Sequence, residues 1–308
     1  MTRLSWISGI MLGAVLLLPD QAQASERDDA HPPGMAASIR WLPASDFAGL
    51  ASGAELEGME HHLFLRLFRA DAAATAFDIG LDYEYVRYEY TNVDSRNRDL
   101  HRLQIPVLFD SDFGSWRLRG FIAPGVSTSS NVFKDFLKRG SSDDAFVSAR
   151  AAMHRGDTAR EWFFGVAYDR SFGEPGIYPV GGVELTPTPA LRIRLAFPDP
   201  GFELKLSGRQ SLQGRVAPAG HQWRVVSDDF TSSFDYRVEA LRAQLNWNYR
   251  IWRELSVDLS VGYESDREHQ LADSSGTTLS SEGDSEWVFA LGFRVGGESL
   301  PRAHGASF

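Results

Sequence analysis

Residues 75–90 read TAFDIGLDYEYVRYEY. Phe77, Ile79, Leu81, Tyr83 and Tyr85 fall on one face of an extended chain, and Asp78, Gly80, Asp82 and Glu84 fall on the other. A strand sends successive side chains to opposite sides, so this segment separates an apolar surface from a charged one. The same alternation recurs along the chain. In 190–197, Leu191, Ile193, Leu195 and Phe197 alternate with Arg192 and Arg194. In 254–267, Leu255, Val257, Leu259, Val261 and Tyr263 alternate with Ser256, Asp258, Ser260, Gly262 and Glu264. In 285–295, Trp287, Phe289, Leu291, Phe293 and Val295 share a face. No strongly helical segment is available to cover such a sheet, which raises the weight of an all-β reading.

Turn chemistry divides the chain into strands near 36–47, 60–69, 75–90, 99–110, 115–126, 145–154, 160–171, 177–186, 190–197, 202–207, 210–226, 235–249, 254–267 and 285–295. That makes fourteen, or twelve if the weakest are discounted; single-chain bacterial barrels keep an even number. The connections alternate in length. Those at 70–74, 111–114, 155–159, 186–189, 208–209 and 250–253 are short. Those at 91–98, 127–144, 227–234 and 268–284 are longer and polar, while 172–176 and 198–201 are short exceptions on that side. Short periplasmic turns and longer outer loops are the habit of transmembrane barrels.

The N-terminus supports export. Arg3 precedes an apolar run, Trp6–Leu18, and Gln21-Ala22-Gln23-Ala24 follows, so residues 1–24 read as a signal peptide cleaved between Ala24 and Ser25. The run is short for a spanning helix. Residues 25–35 form a polar, Pro-containing lead-in, 36–296 the barrel, and 297–308 a polar tail. Cysteine is absent, which removes disulfides, thiolate metal sites and Cys nucleophiles. The formal charge of −10, with no basic stripe, argues against a nucleic-acid partner.

If the apolar face meets lipid, the polar face lines a lumen. Asp78, Asp82, Glu84, Arg117, Arg119, Arg192, Arg194, Arg242, Asp258 and Glu264 are then expected to point inward. Glu286, Lys205 and Arg294 join them. Charge of both signs fits two pictures: a constriction that selects solutes, or a cross-strand ion-pair network that fills the lumen. Near-balance favours the network. Trp116, Trp162, Trp247, Trp252 and Trp287 fall near strand ends, as do Tyr83, Tyr85, Tyr168, Tyr249 and Tyr263, where they would form interfacial girdles.

The stretch Ile177–Leu206, IYPVGGVELTPTPALRIRLAFPDPGFELKL, resembles the Tyr-Pro-Val, Thr-Pro-x-x-x-Leu and Phe-Pro-x-Pro signatures of an uncharacterised family of Gram-negative outer-membrane β-barrels. Residues 234–267 are similar to it as well. The resemblance implies a barrel in the outer membrane, next to its lipid and lipopolysaccharide and dependent on the export and barrel-assembly machinery. It supplies no substrate, cofactor or catalytic residues.

The expected role is a passive, porin-like channel or a structural surface protein, with no cofactor. An outer-membrane lipid hydrolase is the alternative, with His61, His62, His101, His154 and His221 as its histidines, although neither a Gly-x-Ser-x-Gly elbow nor a His-Glu-x-x-His helix is present. A metal held by His61, His62 and a loop acid is a weaker variant of it. A soluble periplasmic β-barrel binder shares the alternation but needs its apolar face inside.

Overall fold

The computed structural model describes residues 33–46, 53–72, 74–92, 97–227, 232–273 and 278–296. The signal segment with its Ala24/Ser25 junction, the lead-in up to residue 32 and the tail from 297 lie outside these residues. Seventeen strand segments join one sheet. They are β1 (Met35–Asp46), β2 (Glu55–Ala72), β3 (Thr75–Thr91), β4 (Arg98–Gln104), β5 (Val107–Phe113), β6 (Trp116–Ser129), β7 (Ala145–Gly156), β8 (Arg160–Phe172) and β9 (Glu174–Thr188). Then follow β10 (Leu191–Phe197), β11 (Gly201–Ser207), β12 (Gln210–Pro218), β13 (His221–Val226), β14 (Ser233–Arg250), β15 (Leu255–Asp273), β16 (Thr278–Gly283) and β17 (Glu286–Val295).

Three staves are interrupted, β4 with β5, β12 with β13, and β16 with β17, so the ring has fourteen staves. Neighbouring staves run antiparallel, and β1 closes on β17 with Met35 opposite Val295 and Trp41 opposite Phe289. Closure leaves no free sheet edge, which a chain in lipid requires. The first interruption has a local cause. Pro106 has no N–H to donate to the ladder, and the wall is carried across by Gly80 N–H to Pro106 O and Ile105 N–H to Pro124 O, both at 2.9 Å.

The connections at the end that holds both barrel termini are all short, and the long connections lie at the other end, where Gly173 and residues 198–200 also make two tight turns. These are called the turn side and the loop side. Several staves run further than their sequence windows. β2 spans Glu55–Ala72, β15 continues to Asp273 and β16 occupies Thr278–Gly283, so most of the polar stretch 268–284 is strand above the membrane belt. Residues 127–144 carry the end of β6, two four-residue helical turns, Ser130–Phe133 and Phe136–Arg139, and a 3-10 turn at Ser142–Asp144.

On the loop side the ring is pinched. Past Pro218 the chain leaves β11, and β13 crosses to pair in parallel with β6, Arg224 opposite Thr128, while its other edge stays paired with β14. Six intervening segments, β7 to β12, are bypassed at this level. Ser127 Oγ donates to Gln222 O (2.6 Å), Thr128 Oγ1 to Arg224 O (3.1 Å) and Asn131 Nδ2 to Val226 O (2.7 Å), and Ser129 Oγ accepts from Val226 N–H (3.2 Å). The tip of the β8–β9 hairpin leans onto the same crossing: Gly220 N–H donates to Ser171 O (2.7 Å) and Arg170 Nη1 to Gln222 O (3.3 Å). A side chain at 220 would place its Cβ 2.2 Å from the Gly173 nitrogen, so this close approach requires glycine.

Candidate functional site

The faces are inverted relative to a soluble protein. Trp162, Phe164, Val166 and Tyr168 of β8, Leu195 and Phe197 of β10, Leu241 and Leu245 of β14, Leu259 and Tyr263 of β15, and Trp287 and Phe289 of β17 are all exposed. An apolar surface running around the wall exceeds what a soluble monomer shows, so the soluble-binder alternative fails: its apolar face would have to be inside. A closed antiparallel barrel, apolar outside and ionic inside, is a transmembrane barrel of the outer-membrane type.

The aromatic residues fall at two heights. Trp116, Trp162, Trp247 and Trp252 lie close to the turn-side ends of β6, β8 and β14 or in the turn after β14. Trp162 and Trp252 are exposed, while Trp116 and Trp247 are half-buried. Tyr83 is eight residues beyond Thr75, Tyr263 eight beyond Leu255, and Trp287 eight before Val295. At about 3.4 Å per residue and a tilt of about 40°, that second height is roughly 20 Å above the first. Trp287 packs edge-on against Tyr263, ring centroids 5.4 Å apart.

Inside, Asp78, Asp82, Glu84, Arg119, Arg194, Arg242, Asp258 and Glu264 are buried, and Arg117 and Arg192 are half-buried on a cavity wall. A chain of alternating charge runs over the inner face of five consecutive staves, from β14 through β15, β17 and β1 to β2. Arg40 bonds Glu60; Glu60 lies 3.8 Å from Arg242; Arg242 bonds Glu264 (2.5 Å); Glu264 lies 3.8 Å from Arg267; Arg267 bonds Glu286 (2.5 Å). Because β2 and β14 are not neighbours in the sheet, the Glu60–Arg242 contact reaches over the staves between them. A second group joins His62 to Asp82 (2.5 Å), Gln104 to Asp82 (2.9 Å), Arg102 to Glu84 (2.6 Å) and Arg102 to His221 (3.1 Å). Arg294 grips Asp258 with two bonds, 2.8 and 2.5 Å.

Above this layer, on the loop side, the filling is aromatic. Trp223 (0 % exposed), Tyr88 and Tyr236 pack with Leu56, Val86, Leu100, Val225 and Val238. Tyr236 Oη bonds Tyr90 Oη (2.9 Å) and His269 Nδ1 (2.6 Å), and Arg98 lies over the rings of Tyr90, Phe234 and Tyr236. Sequence reasoning missed this cluster, although Trp223 and Tyr236 lie in strands it found.

Below, on the turn side, lies a cavity of about 930 Å³ whose rim is built from the β5–β6, β7–β8 and β9–β10 turns. Arg117, Arg119, Arg155, Arg160, Arg192 and Lys205 face it, against Asp112, Asp157, Glu161 and Glu184. The four acids have internal partners. Asp112 accepts from Arg117 (2.8 Å), Glu161 bonds His154 (2.7 Å), Glu184 accepts from Arg194 (2.6 Å), and Asp157 accepts the N–H groups of Ala159 (2.8 Å) and Arg160 (3.0 Å). Those two N–H bonds favour the charged form and hold the Asp157 carboxyl below the usual range.

The histidines separate by face. His62, His154 and His221 are buried inside. His61, on the opposite face from His62, packs against Tyr85, so the pair cannot share a metal. Among the described residues no group of three potential ligands comes together.

Comparison with known proteins follows the fold. The barrel is similar to the COG4313 outer membrane channel from Pseudomonas putida F1, with 9 % identity, 93 % of this chain and 100 % of that chain covered, and a TM-score of 0.47. It is similar to the toluene transporter TodX of Pseudomonas putida, with 10 % identity, 85 % and 89 % covered, and a TM-score of 0.35. It is also similar to the beta domain of the Bordetella autotransporter BrkA, with 11 % identity, 86 % and 99 % covered, and a TM-score of 0.39. No curated protein matches the sequence. Residues 74–296 match the model of DUF6268, a domain of unknown function, and the chain belongs to that family.

Proposed function

We propose that this barrel is a channel-type protein whose pathway opens on the turn side and is held closed on the loop side. The carrying observation is the crossing of β13 to β6, which seats Trp223 inside the barrel against Tyr236. The charged constriction and the filled lumen are then not rivals. The ionic layer lines the middle of the pathway and the aromatic layer stops it. Arg117 and Arg119 are paired with Asp112 and Asp110, but six cationic side chains against four acids leave the cavity lining net positive, which favours anionic over cationic solutes there. With the turn side in the periplasm, the loops meet lipopolysaccharide, and insertion depends on the barrel-assembly machinery.

Planar-bilayer recording tests this reading. Wild-type protein is expected to be silent for most of the record. Ser127→Ala with Thr128→Val removes two of the bonds that tie β13 down and is expected to produce discrete openings. Steady large conductance from the wild type contradicts the closure. Silence from both proteins contradicts the channel.

A further inference from the structure

The outer wall carries a second feature that the channel reading leaves unused. His101, on β4, holds the Ser130 hydroxyl at its Nε2 (2.6 Å) and the Tyr83 hydroxyl at its Nδ1 (2.8 Å). The ring lies flat against Phe133, centroids 4.4 Å apart and planes 6° from parallel, and touches Tyr85 on another side. With Nδ1–H donating to Tyr83 Oη, Nε2 is left as an acceptor for the Ser130 proton. A serine within hydrogen-bond reach of an imidazole whose other nitrogen is anchored is the arrangement that activates a serine nucleophile. Ser130 and His101 are each half-buried, so neither is sealed inside the protein.

Their position narrows the substrate. Tyr83 lies at the height of Tyr263 and Trp287, the upper aromatic level, where the wall passes from hydrocarbon to headgroups. The turn Phe136–Arg139 stands beside the site with Leu137 fully exposed (101 %) and Lys138 exposed next to it. An apolar side chain for acyl chains and a cation for an anionic headgroup are thus presented at the same edge.

We infer that Ser130 is a nucleophile, with His101 as its general base and Tyr83 as a positioning residue, acting on acyl esters of lipids at the membrane surface. Ser130 Oγ forms a bond to the ester carbonyl carbon while its proton moves to His101 Nε2. The ester C–O bond breaks and the leaving alkoxide takes that proton. Water then attacks the acyl carbon and gives a proton to Nε2; the bond from that carbon to Ser130 Oγ breaks, Oγ takes the proton back from Nε2, and the fatty acid leaves.

The test is covalent labelling of full-length protein in phosphatidylglycerol vesicles with a fluorophosphonate probe. Wild type is expected to label at a single serine. Ser130→Ala is expected to lose the label, and His101→Asn to slow it by about a hundredfold, the usual worth of a positioned base. Tyr83→Phe is expected to label more slowly and to move the pH profile of labelling, which a merely structural tyrosine would leave in place. Ser115→Ala, on the turn side, is expected to label as the wild type does. Heat-modifiable gel mobility confirms that each variant is folded. Absence of labelling in folded wild type, or undiminished labelling in Ser130→Ala, overturns the inference. The outcome is independent of conductance, so it stands or falls apart from the channel reading.

Discussion

The two halves of the interior use opposite chemistry for the same geometric task. The loop-side half is filled by Trp223, Tyr88, Tyr236 and aliphatic neighbours, a dry core of the kind found in soluble domains. The middle and turn-side half is lined by ion pairs such as Arg242–Glu264 and Arg294–Asp258, and it opens into a cavity of about 930 Å³. Apolar packing is close-packed and admits no water. An ionic lining leaves charges that water or solute can address where it meets the cavity. The difference indicates which half acts as the stop and which as the pathway.

The largest expected effect falls on the stop. Trp223→Ala empties the centre of the aromatic layer and should cost about 3–5 kcal/mol, read as a lower urea midpoint of the refolded barrel in lipid vesicles. Trp252→Ala, on an exposed turn, should move the same midpoint far less. Comparable losses at both positions would break the contrast between core and rim.

Next comes the ionic chain. Arg242→Met leaves Glu60 and Glu264 without the cation between them and should cost about 3–5 kcal/mol. Glu264→Gln in the same background should recover part of that loss. A double-mutant cycle with no coupling would mean the lumen is hydrated enough to screen the pair.

A smaller effect is expected at the crossing. Each tether from β6 to β13 should contribute about 1 kcal/mol, so Ser127→Ala alone should raise the frequency of openings with little change in the unfolding midpoint.

The smallest effect is in a turn. The Asp157 carboxyl has a depressed pKa in the folded protein, so its contribution is present above the unfolded value of about 4 and is lost as pH falls through the lower folded value. Asp157→Asn should flatten the pH dependence of the urea midpoint in that acid window. An unchanged profile would show that the Ala159 and Arg160 N–H bonds do not persist in solution.

Much of the wall was legible because lipid forces strict alternation: Phe77 to Tyr85, Leu255 to Tyr263 and Trp287 to Val295 each put every second residue outside. Turn chemistry marked fourteen strand windows, with twelve as the alternative, and the ring has fourteen staves. The stop was not read, yet its signal is present. Along β3 the inward positions change from Asp78, Asp82 and Glu84 to Val86, Tyr88 and Tyr90, while Arg87 and Glu89 turn outward. β14 changes the same way about its bulge between Glu239 and Leu241, from inward Tyr236 and Val238 to inward Arg242 and Asn246. A strand whose polarity swaps faces has left the membrane and entered a water-surrounded core. The β13 crossing had no such signal, since Ala219-Gly220 reads like any small-residue break. The His101–Ser130 hydrogen bond had no such signal either, since the two residues are 29 positions apart and a pair joined only by folding leaves no motif.

The absence of native cysteine makes the central claim directly measurable. Thr128→Cys with Arg224→Cys places one thiol on each side of the β6–β13 bridge, where the two residues face each other. The account predicts rapid, high-yield disulfide formation under mild oxidation in the folded, membrane-inserted barrel, visible as a change in gel mobility that reductant reverses. No cross-link there, with efficient cross-linking of Leu245→Cys to Val261→Cys in the β14–β15 ladder, would contradict it and leave the loop-side lumen open.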